Sequence, residues 1–157
     1  MVPLSLAQLS AYADAVYEVD LEGSWADVRT FAPSAYGSPA TLISACNPWS
    51  QLLSDAENAQ RNHGLYGQIE TSRHDWYRAR GRSVDLRWIE PGFLVLAPLD
   101  LIDVWARQWQ QHAVLVLRGT GQSPALRLYS PFAGDDPPPR LANMHLEWVG
   151  CGPPASS

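Results

Sequence analysis

The 157-residue chain contains no lysine; all 11 of its basic residues are arginines, set against 16 aspartates and glutamates. That absence removes two chemistries. Schiff-base catalysis needs a lysine amine, and a P-loop needs a lysine beside its glycines. Positive charge is scarce in general, with a formal net charge of −5 and a pI near 5.2, so the broad basic footprint of a nucleic-acid binder is missing. Cysteine is scarce too. Cys46 and Cys151 have neither the spacing of a metal motif nor the density of a disulfide scaffold, which reads as a reduced, cytoplasmic setting. No apolar run approaches the roughly 20 residues of a membrane span, and Met1 to Tyr17 lacks the basic start and apolar stretch of a secretory signal. The expectation is therefore no membrane insertion, no metal and no cofactor.

What is present is an ordinary globular composition, 46% hydrophobic, at a length that suits one domain of about 100–200 residues. Leu6, Leu9, Tyr12 or Ala13, and Val16 follow Pro3 at helical spacing and predict a short N-terminal helix. Weak strand signals follow at 17–21 and 25–31, before the turn-rich stretch 32–39. The apolar run 40–46 reads as a strand buried on both faces and stopped by Asn47-Pro48. Ser54 and Glu57 form a capping-box pattern for a helix over 55–70, although Gly64 and Gly67 each weaken it by about 1 kcal/mol relative to alanine. A strand near 75–79, an arginine-rich loop to Pro91 and a strand at 93–97 come next. Asp100 then suits the cap of a helix that packs Ile102, Trp105, Ala106 and Trp109. Strands at 113–118 and 125–129 flank a Gly-Thr-Gly connection. Residues 1–130 thus read as one α+β domain, and 131–157 as a proline-rich linker, a short edge strand around Met144, Leu146 and Trp148, and a disordered tail.

The inner order strand, helix, strand, strand, helix, strand predicts a ferredoxin-like βαββαβ sandwich, with the N-terminal helix and C-terminal strands as additions. That topology would gather distant residues at one edge of the sheet. Asn47, Ser54, Asn58, Arg80, Arg82, Glu90, Gln111 and His112 form the expected cluster.

Four motifs in this region resemble a known family. Thr41-Leu-Ile-Ser-Ala-Cys-Asn47-Pro48, Ser54-x-x-Glu57-Asn58, Trp88-Ile-Glu90-Pro91-Gly-Phe-Leu-Val95 and Trp109-Gln-Gln111-His112-Ala-Val are similar to the DUF3293 family of small bacterial proteins of unknown function. The resemblance spans roughly Ala11 to Tyr129. Gly92 and His112 stand where the family pattern has serine and asparagine.

Each candidate residue carries two readings. Five arginines and two aspartates fall within Arg73–Arg87; they are either a solvated loop or, with the amides of the helix start, a cradle for a carboxylate or phosphate. Trp76, Tyr77 and Trp88 are core residues or a stacking surface. Asn47 suits an unusual turn as well as a ligand, and Ser54 is already explained by the capping box. Glu90, just before a buried strand, would rise into the general acid/base range if desolvated and fall if paired with an arginine. Cys46 with His112, oriented by Asn47 or Glu90, would be a thiol nucleophile; otherwise Cys46 is a buried small hydrophobe. The leading expectation is a binding or regulatory module for a small anionic, nucleotide-like ligand held by Asn47, Ser54, Asn58, Arg80, Arg82 and Gln111. The alternatives are a small hydrolase or transferase using Glu90 or the Cys46/His112 pair, and a protein-interaction module or homodimer.

Overall fold

Two of the three α-helices among the described residues begin at a serine whose hydroxyl accepts from the backbone N–H three residues on, while that residue's side chain accepts from the serine N–H. In the computed structural model, which describes residues 2–31, 39–119, 122–141 and 143–150, Ser5 and Gln8 close a capping box over α1 (Leu6–Asp14). Ser54 and Glu57 do the same over α2 (Asp55–Ser72), as the sequence predicts. The third helix, α3 (Leu99–Gln108), starts differently. Pro98 is its N-cap, so Asp100 lies inside the first turn rather than capping it, and its negative charge still suits the positive end of the helix dipole.

The strands are β1 (Val16–Leu21), β2 (Ser24–Asp27), β3 (Ala40–Ile43), β4 (Trp76–Arg82), β5 (Ile89–Val95), β6 (Ala113–Leu117), β7 (Ala125–Leu128), β8 (Arg140–Leu141) and β9 (Met144–Trp148). They form one mixed sheet in the order β2-β1-β4-β5-β3-β6-β7-β9-β8. Every neighbouring pair is antiparallel except β7 with β9. The protein is therefore α+β, with three α-helices and nine strands among the described residues.

Several boundaries differ from the sequence expectation, each for a local reason. The 40–46 run leaves the sheet after Ile43, because the following backbone turns to side-chain partners: Ser44 Oγ accepts from Cys46 N–H at 3.0 Å and Asn62 Oδ1 from Ala45 N–H at 2.8 Å. β4 runs on to Arg82 and β5 begins at Ile89, so the anticipated 80–91 loop shrinks to a hairpin tip. The segment after β7 is tied down as well. Leu4 N–H donates to Pro131 O at 2.9 Å and Trp148 Nε1 to Pro138 O at 3.0 Å, while the alternation at 144–148 becomes β9 inside the sheet. The turn at 32–38, residues 120 and 121 of the β6–β7 connection, and the tail with Cys151 lie outside the described residues.

Alternation along the strands builds two apolar layers. On one face Leu65 and Ile69 of α2 and Ile102, Trp105 and Ala106 of α3 pack on Ile43, Val95, Val114 and Val116. On the other, Leu4 and Leu9 pack with Leu42, Leu94, Leu115 and Leu126. Each fully buried leucine or isoleucine stabilises the fold by about 1.5–3 kcal/mol before entropy is counted. β3, buried along its whole length, is the centre of both layers. β5 approaches it so closely that a Cβ on Gly92 would stand 2.6 Å from the Ile43 carbonyl oxygen. This is the close approach for which glycine is needed.

Candidate functional site

Where β3 ends, the chain enters a strained turn held by asparagines. Asn47, Trp49 and Ser50 all adopt positive φ, at 50°, 52° and 61°, a conformation that asparagine tolerates and bulky residues do not. Asn47 is locked by both its backbone and its side chain. Its N–H donates to Asn58 Oδ1 at 2.9 Å, and its Oδ1 accepts from Asn58 Nδ2 at 2.9 Å and Leu53 N–H at 3.0 Å. One helical turn further along α2, Asn62 Nδ2 donates to Pro91 O at 2.9 Å and to Cys46 Sγ at 3.3 Å. Arg61 Nε donates to Ala45 O and its Nη2 to Trp109 O, both at 2.6 Å. The start of α2 thus fixes residues 45–53.

The remaining Asn47 donor, Nδ2, reaches Glu90 Oε2 at 3.1 Å. Glu90 lies near the start of β5 and lines two spaces at once. One is a cleft of about 730 Å³ against α2; the other is a cavity of about 50 Å³ on the α1 side, beside Tyr12, Tyr17 and Gln111. Enclosure of its carboxyl raises the pKa from an ordinary 4.5 to about 7, an effect that hydrogen bonds from Asn47 and Ser44 only partly offset. A carboxyl that titrates near neutrality while held by an amide donor is able to give or take a proton at physiological pH.

The cleft has a helical wall and a sheet wall. Asp55, Asn58, Ala59, Asn62 and Tyr66 face it from α2, at a spacing that keeps them on one side of the helix. Ile89 to Phe93 and Trp76 face it from the sheet. At one end Tyr66, Trp76 and Phe93 meet edge-on or tilted, with ring centroids 5.3, 5.7 and 6.1 Å apart. Glu70 orients two of them, accepting from Tyr66 OH at 2.6 Å and Trp76 Nε1 at 3.4 Å.

The anticipated cluster is brought together only in part. Asn47, Asn58, Glu90 and Cys46 line the cleft. Ser54 is engaged in the capping box, accepting from Glu57 N–H at 3.1 Å, and Gln111 Nε2 donates to the carbonyls of Cys46 and Trp109, each at 3.0 Å. Arg80 and Arg82 are strand residues whose Nε atoms both donate to Glu18 Oε1, at 2.9 and 2.7 Å, and neither lines the cleft. This pairing across β1 and β4 holds the Glu18 carboxyl below its ordinary pKa, with the Arg82 hydrogen bond as the largest cause. Cys46 and His112 have separate partners. The Cys46 thiol is pushed up to about 11 by burial and faces Asn62 and Pro91. His112 is fully buried against Ser130 Oγ and the Trp49 ring, and its imidazole is held below the usual histidine pKa by desolvation.

Asn62, Ser44, Tyr66 and Phe93 were not among the sequence candidates; of the anticipated stacking residues Trp76 lines the cleft, and Tyr77 and Trp88 do not. Asn62 had a readable signal, since it lies four residues after Asn58 and so on the same helix face. The joining of Trp76 to Tyr66 and Phe93 had none, because the three rings come from three separate elements. Among the described residues no group of His, Cys, Asp or Glu has a metal-binding arrangement, and no helix is long and apolar enough to cross a membrane.

The fold and cleft define an α+β domain with an aromatic-walled cleft, polar at one end, between α2 and β5. A family model described as "Protein of unknown function (DUF3293)" matches residues 43–114, just under half of the chain, which over this segment is similar to that family. The match runs from β3 to β6 and takes in α2, β5 and every residue that locks the Asn47 turn. No curated protein and no solved structure matches the chain.

Proposed function

We propose that this protein is a small-molecule-binding domain whose ligand occupies the cleft between α2 and β5, with Glu90 exchanging a proton at its polar end. The carrying observation is the coincidence of a cleft within the usual small-molecule range of about 300–1,000 Å³ with a carboxyl titrating near 7 in its lining. The inner strand order β4-β5-β3-β6, antiparallel throughout, with α2 and α3 packed on one face, supports a ferredoxin-like core beneath this site. A small-anion ligand has weaker support, because Arg80 and Arg82 are paired with Glu18 and Arg61 with two carbonyls.

Glu90 also favours a second reading, a hydrolase or transferase using it as general acid or base. Cys46 offers less to such chemistry, since its thiol stays protonated at neutral pH. Ala59 is exposed on the cleft side of α2, so Ala59→Trp fills the cleft without touching the core. A crystallographic fragment screen of the full chain should place fragments in the cleft, and Ala59→Trp should lose them. Fragments that ignore the cleft, or persist in the variant, would overturn the assignment.

A further inference from the structure

The cleft's chemistry narrows the ligand, on the reading that the cleft is the binding site. Its aromatic end is a surface rather than a slot. Centroid separations of 5.3–6.1 Å are those of rings already in contact, so nothing inserts between Tyr66, Trp76 and Phe93, and a ligand ring lies against them.

The polar end has few free donors. Both ends of the Asn62 amide are bonded, to Ala45 N–H on the oxygen and to Pro91 O and Cys46 Sγ on the nitrogen. Asn47 is bonded at both ends as well. Asn47 and Asn58 each keep one amide hydrogen, since an amide nitrogen carries two and only one is engaged. Acceptors, by contrast, are available: Asn47 and Ser44 bond the Glu90 carboxyl, whose two oxygens carry about four lone-pair sites, and the Asp55 carboxylate stands at the exposed start of α2. The single arginine in the lining, Arg78, sits over the Trp25 ring at 5.2 Å and 3.7 Å from Asp20. A negatively charged edge would meet two carboxyls here; an edge of N–H groups would meet acceptors.

We infer that the ligand is a flat, amino-substituted nitrogen heterocycle, its ring face on the aromatic wall and its N–H edge toward Glu90. Carboxyl recognition of such an edge is the counterpart of arginine reading an acceptor edge, with two parallel hydrogen bonds fixing orientation.

The test is an NMR titration of the full chain with 2,6-diaminopurine, 2-naphthoate and inorganic phosphate, following the Trp76 indole and Asn58 amide signals. The expected result is saturable perturbation of both signals by diaminopurine, with naphthoate and phosphate at least tenfold weaker. Glu90→Gln should weaken diaminopurine at least tenfold, and Asp55→Asn, at an exposed position that leaves the fold intact, should weaken it too. Preference for naphthoate or phosphate at the same signals overturns the ligand class while the cleft reading stands. Diaminopurine binding unaffected by either variant also overturns the class, and no probe reaching these signals overturns both.

Discussion

Asn47 Nδ2 donates to Glu90 Oε2 at 3.1 Å across 43 residues of sequence, joining the strained turn after β3 to a cleft carboxyl whose pKa is raised to about 7. The turn and the proton are thereby linked. The amide stabilises the charged carboxylate, and enclosure disfavours it more strongly.

Stability should fall with rising pH because of Glu90. Its folded pKa, about 7, lies above the ordinary 4.5, so the folded chain holds this proton more tightly. The contribution is complete below about 4.5 and is lost as pH rises through 7, an interval worth roughly 3 kcal/mol at most. Urea denaturation from pH 4.5 to 8 should show a downward component that Glu90→Gln removes. An identical pH profile in the variant would contradict the raised value.

Asn47→Ala leaves a left-handed residue without its amide and removes the partners of Leu53 N–H, Asn58 and Glu90. The expected loss is about 3 kcal/mol, from unmet hydrogen bonds and the αL penalty together. Asn47→Asp separates the two roles. It keeps the acceptor for Leu53 and puts a like charge beside Glu90, so the Glu90 titration observed by carboxyl NMR should move upward.

Gly92→Ser would put a Cβ 2.6 Å from the Ile43 carbonyl oxygen. Backbone cannot rotate out of the way as a side-chain end does. A destabilisation of roughly 1–3 kcal/mol is expected, read from the denaturation midpoint. A neutral result would mean that β3 and β5 can separate locally.

Glu18→Gln breaks the ion pairs with Arg80 and Arg82 but does not touch the cleft. It should cost about 2 kcal/mol, since two guanidinium groups lose their counter-charge at a largely enclosed position. The pH dependence has the opposite sign to that of Glu90: with its pKa depressed, Glu18 contributes stability above its ordinary value and loses it as pH falls through the depressed one. Fragment binding in the cleft should survive the substitution.

Local information carried much of this protein. The capping box at Ser54 and Glu57, the buried run that became β3, and the alternation that became β9 each depend on neighbours within a few residues, so their patterns are legible in the chain itself. The same holds for the exclusions set by the missing lysine and for the motifs through which residues 43–114 resemble a family. Pairing across the sheet was decided elsewhere. Arg80 and Arg82 look like free cations in sequence, and only the antiparallel register of β4 against β1, which sets Glu18 opposite Arg80, gives them their partner. Glu90 carried two opposite expectations, pairing with arginine or desolvation. Tertiary structure chose desolvation, because the strand that carries the arginines aims them at Glu18 and leaves Glu90 with an uncharged amide. Electrostatics acts through distance in space, and that distance is what a linear pattern does not contain.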